Sequence, residues 1–436
     1  MTFTRLWFAL ILAGVVPLLA SAYIPGIGGA WIAWDGFILL LTITDYLLFP
    51  SGDAIEVERV MEPQLSLGAP NLVRLFLRNR SDRPWRIAVH DEPPEQMENE
   101  FSDTALTLDR HQSKVIEYHV TPKSRGDFNF GDIWLRVTGR LRLVNRQQRL
   151  SRSVPVKVYP NMLETAKFTL MAKRGRLQQV GIRAARLIGA GREFESLREY
   201  QPDDDYRRID WKATARRGKL ISRQYEVERS QNVVLVLDVG RTMLAEIDGI
   251  AKTDYAVNAA LLLAYVATLS EDKVGLLVFA DTVQTWIAPR KGRGQVYRIL
   301  EALYNAHATR AEPDYQGAFA YLAARWRRRS LVVCFTDLWD PDSSRQTMAQ
   351  LSALQPRHLV ACVTLMDTKV LQRREAPLED AGDVFEQAVA VQVLDDRARA
   401  TAELKRRGIL VVDTPAEKLS AALVNRYLEV KEKMML

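Results

Sequence analysis

Two aspartates stand where oxygen chemistry is easiest to place. Asp238 closes the apolar run VVLVLD and Asp337 closes LVVCFTD, each followed at once by turn residues. A carboxylate in that position can hold a cation, cap the helix that follows, or pair with an arginine such as Arg241 in VLDVGRTM. Just upstream, residues 189–228 form a dense block. Asp203, Asp204, Asp205 and Asp210 lie among Arg198, Arg207, Arg208, Lys212, Arg216, Arg217 and Lys219, with Phe194, Tyr200, Tyr206 and Trp211 between them. Charges at this density favour bidentate arginine–carboxylate bonds, which either fold the block onto a sheet or dock a partner. The aromatics are of the kind that anchor interfaces. A nucleic-acid reading uses the same arginines but leaves the triple aspartate unexplained, since it would repel phosphate.

The elements that must position these residues alternate regularly. Apolar strands are expected at 233–238, 274–280, 331–337, 358–366 and 408–413. Helices are expected near 254–269, 294–306, 315–327, 343–354, 383–407 and 416–431. Near-continuous apolar strands between amphipathic helices predict a parallel sheet covered on both faces, an α/β domain over 231–436. Sheets of this kind bind ligands at the carboxyl ends of their strands, where both aspartates fall.

Residues 53–160 change period. IEVERVM, NLVRLFLRN, RIAVH, ALTLD, SKVIEYHVT, IWLRVTG, LRLVN and VPVKVYP are short alternating runs split by turn formers. They predict an antiparallel β-sandwich with a structural or partner-binding role. His90, His111 and His119 read as ordinary surface or core residues rather than ligands. Residues 161–230 form a connector followed by the charged block.

Ahead of these, residues 6–24 and 31–49 are each about the length of a bilayer-spanning helix, joined by the uncharged PGIGGA. The hairpin predicts two transmembrane helices over 1–52 with both ends on the Arg5 side, the cytoplasmic face of the membrane. Alternatively, Ala20-Ser21-Ala22 marks the first segment as a signal peptide. Asp35 and Asp45 fall near span ends, where water is expected to reach them. The formal charge of +7 suits an anionic leaflet. Cys334 and Cys362 lie inside apolar runs and read as buried thiols in a reducing compartment.

The turn Asp238-Val239-Gly240-Arg241-Thr242 resembles the metal-ion-dependent adhesion site of the von Willebrand factor A domain. That family uses Asp-x-Ser-x-Ser after the first strand, a loop threonine and a later aspartate. Asp238 and Thr242 match the outer positions and Asp337 the later one. Gly240 lacks the middle hydroxyl. Asp314 stands near the position of the loop threonine, with Thr309 slightly early. The resemblance implies a von Willebrand A-like, Rossmann-type doubly wound fold and a magnesium ion open to a partner's carboxylate.

The longer stretch GREFESLREYQPDDDYRRIDWKATARRGKLISRQYEVE, running into QNVVLVLDVGRTM and TDYAVNAALLLA, resembles the bacterial family called domain of unknown function 58. That resemblance implies a membrane-anchored partner of a MoxR-type AAA+ ATPase, with a chaperone or assembly role and no established catalytic activity. No GxSxG, HExxH or Walker A pattern occurs, and His307 and His358 are isolated in sequence. Gly292-Arg293-Gly294-Gln295 reads as a plain loop, and RWRRR at 325–329 as a solvated helix end. The expectation is therefore a non-catalytic platform in which Arg198, Tyr200, Asp203, Asp204, Asp205, Arg207, Arg208, Asp210, Trp211, Arg216 and Arg217 meet the partner. A metal-dependent hydrolase, or a binder of anionic lipid or nucleic acid, is the alternative.

Overall fold

A computed structural model describes residues 1–20, 29–50, 54–161, 194–201, 206, 209–225, 230–338, 341–378 and 380–433. The chain divides into two compact units, Met1–Tyr159 and Pro160–Leu436.

In the first unit, helices α1 (Arg5–Ala13) and α2 (Val15–Ala20) precede α3 (Ala30–Leu47). Only α3 is long and apolar enough to cross a membrane by length and composition among the described residues. The first predicted span is broken. Gly14 caps α1, and Pro17 has no N–H to offer the carbonyl of Ala13, so the helix restarts as a short second piece. The Trp7 indole donates to Thr42 Oγ1 at 3.0 Å and the Trp34 indole to the Leu10 carbonyl at 2.9 Å, tying α3 to α1.

The strands are β1 (Thr2–Phe3), β2 (Ile55–Met61), β3 (Gln64–Ser66), β4 (Asn71–Asn79), β5 (Trp85–Asp91), β6 (Met97–Asn99), β7 (Thr104–Leu108), β8 (Ser113–Pro122), β9 (Gly126–Phe130), β10 (Ile133–Thr138), β11 (Val144–Leu150) and β12 (Val154–Tyr159). They form sheets ordered β1-β11-β10-β5-β7, β2-β4-β8-β6 and β3-β12-β9. All pairings are antiparallel except β3 with β12. The period-two runs become alternating buried and exposed positions, as in β4 and β10. LRLVN is an exception: residues 140–143 are turn, and the strand begins at Val144. The cause is Asp45. Near the end of α3 and fully buried, it accepts the N–H groups of Leu141 (2.8 Å), Leu143 (3.0 Å) and Val144 (3.2 Å). It is therefore not a water-reached span end, because the turn supplies the donors that water would have given. Asp35 is partly buried, and its Oδ1 has no hydrogen-bond partner.

The second unit opens on a hairpin of β13 (Phe194–Glu199) and β14 (Ile221–Tyr225) carrying α4 (Trp211–Arg217). After β15 (Asn232–Asp238), a small hairpin of β16 (Glu246–Ile247) and β17 (Ile250–Ala251) leads into α5 (Lys252–Leu269). Next come β18 (Lys273–Phe279), β19 (Val283–Arg290), α6 (Arg293–Tyr304), α7 (Tyr315–Arg325), β20 (Leu331–Phe335), α8 (Pro341–Leu354) and β21 (Leu359–Met366). The chain closes with α9 (Thr368–Glu375), α10 (Ala381–Arg406), β22 (Leu410–Pro415) and α11 (Leu419–Glu432).

The six-stranded sheet has the order β19-β18-β15-β20-β21-β22, parallel except for β19. Central strand β15 is buried from Val233 to Asp238. One core packs Val234, Val236, Leu277, Phe279, Cys334 and Cys362 against Phe319 and Leu322 of α7, Leu351 of α8 and Leu404 of α10. Both cysteines are free and buried, and burial pushes the thiol of Cys362 up to about 12, so they pack as small apolar groups. The edge strand β19 escapes the apolar-run reading because it is half-buried and carries Pro289.

Candidate functional site

Parallel pairing of β15 with β20, and of β20 with β21, brings Asp238, Thr336, Asp337 and Thr364 to one end of the sheet. Asp238 Oδ1 accepts the Gly240 N–H at 2.7 Å. Its Oδ2 accepts the hydroxyls of Tyr315 at 2.7 Å and Thr336 at 2.9 Å, and those hydroxyls lie 2.7 Å apart. Two hydroxyl protons fill two of these three oxygen–oxygen contacts, and a proton on Asp238 would fill the third. Burial pushes the Asp238 carboxyl above its ordinary range and the neighbouring Asp337 adds to the shift, with the three donors pulling the other way.

Asp337 carries the opposite arrangement. Its Oδ2 accepts Lys252 Nζ at 2.5 Å, and its Oδ1 accepts the Leu338 N–H and the Arg397 guanidinium, each at 3.0 Å. Arg397 also reaches Asp413 Oδ1 at 2.7 Å and Thr364 Oγ1 at 2.5 Å. Lys252, Asp337 and Arg397 are all buried. The charges of Asp337 and Asp413 are matched by those of Lys252 and Arg397 at this end of the sheet. Buried ions persist when such pairing is complete.

Not all of the predicted ligands converge. Asp314 is exposed and caps α7, its Oδ1 accepting the Gly317 N–H at 2.9 Å, while its own N–H donates to the Ala280 carbonyl. Thr309 sits against the Val239 carbonyl. Arg241 does not reach Asp238; it pairs with Glu312 on the surface, leaving Lys252 and Arg397 as the cations of the site. Thr242 Oγ1 is buried without a hydrogen-bond partner, the one feature that fits an oxygen ligand awaiting an ion. The set as arranged does not fit a divalent cation, because Lys252 and Arg397 already take Asp337 and would repel a second positive charge. No group of three or more His, Cys, Asp or Glu side chains able to hold a metal occurs among the described residues.

Sequence reasoning missed Lys252, Arg397, Tyr315, Thr336 and Asp413. Two signals were available: GILVVD is a third strand run ending on aspartate, and Lys252 begins an apolar helix that buries most of its residues.

In the charged block, Asp203, Asp204, Asp205, Arg207 and Arg208 lie outside the described residues, as does the side chain of Arg198. Asp210 caps α4, accepting the N–H groups of Lys212 and Ala213 at 3.0 Å. Arg216 and Arg217 are exposed on its last turn, where cations suit the helix dipole, and Tyr200 is half-buried. Trp211 is 67% exposed and Tyr206 65%, so neither is folded away under the sheet. His90, His111 and His119 sit on the surface beside Asp103, Asp82 and Glu100. Gly292 caps α6 at φ 100°, and buried Gln295 donates to the carbonyls of Val274 and Ala288, so this loop is structural. In the 325–329 tract, Arg325 lies over Tyr321 and Arg328 over Trp326.

Residues 196–412 match the model of a family described as "Protein of unknown function DUF58". Uncharacterized protein Rv1480 of Mycobacterium tuberculosis is 29% identical over 226 residues, 49% of this chain and 69% of that protein. Uncharacterized protein YeaD of Bacillus subtilis is 25% identical over 222 residues, 48% of this chain and 55% of that protein. Among solved structures, Escherichia coli alpha-2-macroglobulin from domain MG7 to the C-terminus is 17% identical, covering 24% of this chain and 16% of that one with a TM-score of 0.21. The PapD-like domain 7 of human CEP192 is 11% identical, covering 25% of this chain and 88% of that one with a TM-score of 0.19. Likenesses at this level carry no functional argument.

Proposed function

Starting from a chain whose residues 196–412 belong to the DUF58 family, we propose that it is a membrane-anchored, non-catalytic platform that works by protein contact, with a MoxR-type AAA+ ATPase as its partner. The observation that carries the reading is the closure of the strand-end site. Asp238 and Asp337 are engaged by Gly240, Tyr315, Thr336, Leu338, Lys252 and Arg397, an arrangement suited to holding a surface in shape rather than to activating water or a nucleophile. The strand order with one antiparallel edge supports a von Willebrand A-like domain whose adhesion site has become cation-substituted, Lys252 and Arg397 standing in for magnesium. Exposed Trp211 and Tyr206 beside Arg216 and Arg217 supply the docking face.

The anchor is a helical hairpin with both ends at one membrane face, and the soluble regions are cytoplasmic. Support comes from Thr4 and Asp45, which bond to the same turn at 141–144. Affinity capture from membranes with full-length bait tests the function. The MoxR-type ATPase is expected with the parent, and its recovery should fall about tenfold or more with Trp211→Ala, while the melting temperature stays at the parent's. Capture of no AAA+ protein, or undiminished capture by Trp211→Ala, contradicts the proposal.

A further inference from the structure

At the base of the helical hairpin, the turn between β10 and β11 is clamped from two sides. The Thr4 N–H donates to the Leu143 carbonyl at 3.0 Å and its hydroxyl to the Arg142 carbonyl at 2.5 Å, just before α1 begins. β1 pairs with β11 through Thr2 with Asn145 and Phe3 with Val144. From α3, Asp45 takes the amides of Leu141, Leu143 and Val144. A methyl group on Gly139 would fall 2.3 Å from Asp45 Oδ2, so the turn backbone lies directly against the carboxylate.

This clamp fixes where four cations go. Arg140 and Arg142 are exposed on the turn, and Arg142 holds φ 59°. Arg146 is exposed at the third position of β11 and donates to the Pro50 carbonyl at 3.4 Å, and Arg5 is exposed in the first turn of α1. None of the four pairs with a carboxylate among the described residues, and Asp45, the acid buried beside the turn, spends its oxygens on backbone amides. Beside them Phe3 stacks on Trp7 at 4.1 Å and Trp7 meets Phe8 edge-on, and a tryptophan is of the type that settles at headgroup depth. Beyond lies the exposed apolar surface of the hairpin, with Leu6, Leu12, Leu39, Leu40 and Leu47 outward.

We infer that Arg5, Arg140, Arg142 and Arg146 form a binding site for the phosphate headgroups of anionic phospholipid at the foot of the hairpin. The inference rests on the membrane-hairpin reading above. The cluster follows from folding alone, because Arg140 and Arg142 of the turn and Arg146 of β11 are joined to Arg5 at the start of α1 only through the Thr4 bonds and the β1–β11 pairing. A guanidinium near an anionic surface gains on the order of fivefold in lipid preference.

The test reconstitutes the full-length protein in nanodiscs of phosphatidylcholine with and without 30 mol% phosphatidylglycerol, about the charge density of an anionic leaflet, and counts retained lipid by native mass spectrometry. The parent is expected to retain phosphatidylglycerol over phosphatidylcholine by about tenfold or more. Arg140→Gln with Arg142→Gln and Arg146→Gln should bring the ratio near parity, with the melting temperature within about 2 °C of the parent's. Equal retention by the parent, or an unchanged preference in the triple variant, overturns the inference. Carbonate extraction separates the two readings: release into the soluble fraction defeats the hairpin and this site together, whereas an extraction-resistant protein without lipid preference defeats the site alone.

Discussion

Asp337 is held by two cations from distant parts of the chain, so its environment answers to single substitutions. Lys252→Met removes the ammonium and leaves the buried carboxylate with Arg397 in place of two cations. Breaking a buried pair in this way costs roughly 3–5 kcal/mol. Chemical denaturation of the full-length protein should therefore show a loss of about 3 kcal/mol, with Lys252→Arg recovering most of it. A neutral result would mean that Lys252 is not the counter-ion. His358 offers a second test. It is buried with both ring nitrogens unpartnered, and burial, aided by Arg357, pushes its pKa below the ordinary histidine value. The unfolded chain protonates this residue first as pH falls through about 6.5, so stability is present above that pH and lost below it. His358→Phe should retain more stability than the parent between about pH 7.5 and 5.5. Identical denaturation midpoints across that range would remove the argument.

The elements show why parts of the molecule were legible in the sequence and others were not. The apolar runs closing on Asp238 and Asp337 become β15 and β20, because a strand buried on both faces needs an unbroken apolar run. Their side chains' partners were not legible. Lys252 lies 85 positions from Asp337 and Arg397 lies 60, and motif spacing reports only local neighbours. That is also why Arg241, three positions from Asp238, looked like the cation and was not. The edge strand β19 was hidden by its half-exposed pattern, and the turn at 140–143 by a carboxylate almost a hundred positions away. The turn makes its own prediction. Asp45→Ala leaves the Leu141, Leu143 and Val144 amides without acceptors, each worth about 1–3 kcal/mol when buried. Trypsin should then cut at Arg140 and Arg142 much faster than in the parent, with Asp45→Asn in between. Unchanged cleavage would show that the clamp does not hold the turn.

Over the whole molecule, the two units divide the work. Met1–Tyr159 carries the apolar helices and the arginines at their foot. Pro160–Leu436 carries the charged block and the sheet whose acidic end is closed by its own cations. We propose that Lys252 and Arg397 occupy the place a divalent ion would take, leaving the sheet end as a preformed protein surface. Titration of full-length protein in detergent with manganese, followed by electron paramagnetic resonance of the free ion, tests it most directly. No stoichiometric uptake is expected of the parent at millimolar manganese, and none of Asp238→Ala. One bound ion per chain in the parent, lost in Asp238→Ala, would contradict it.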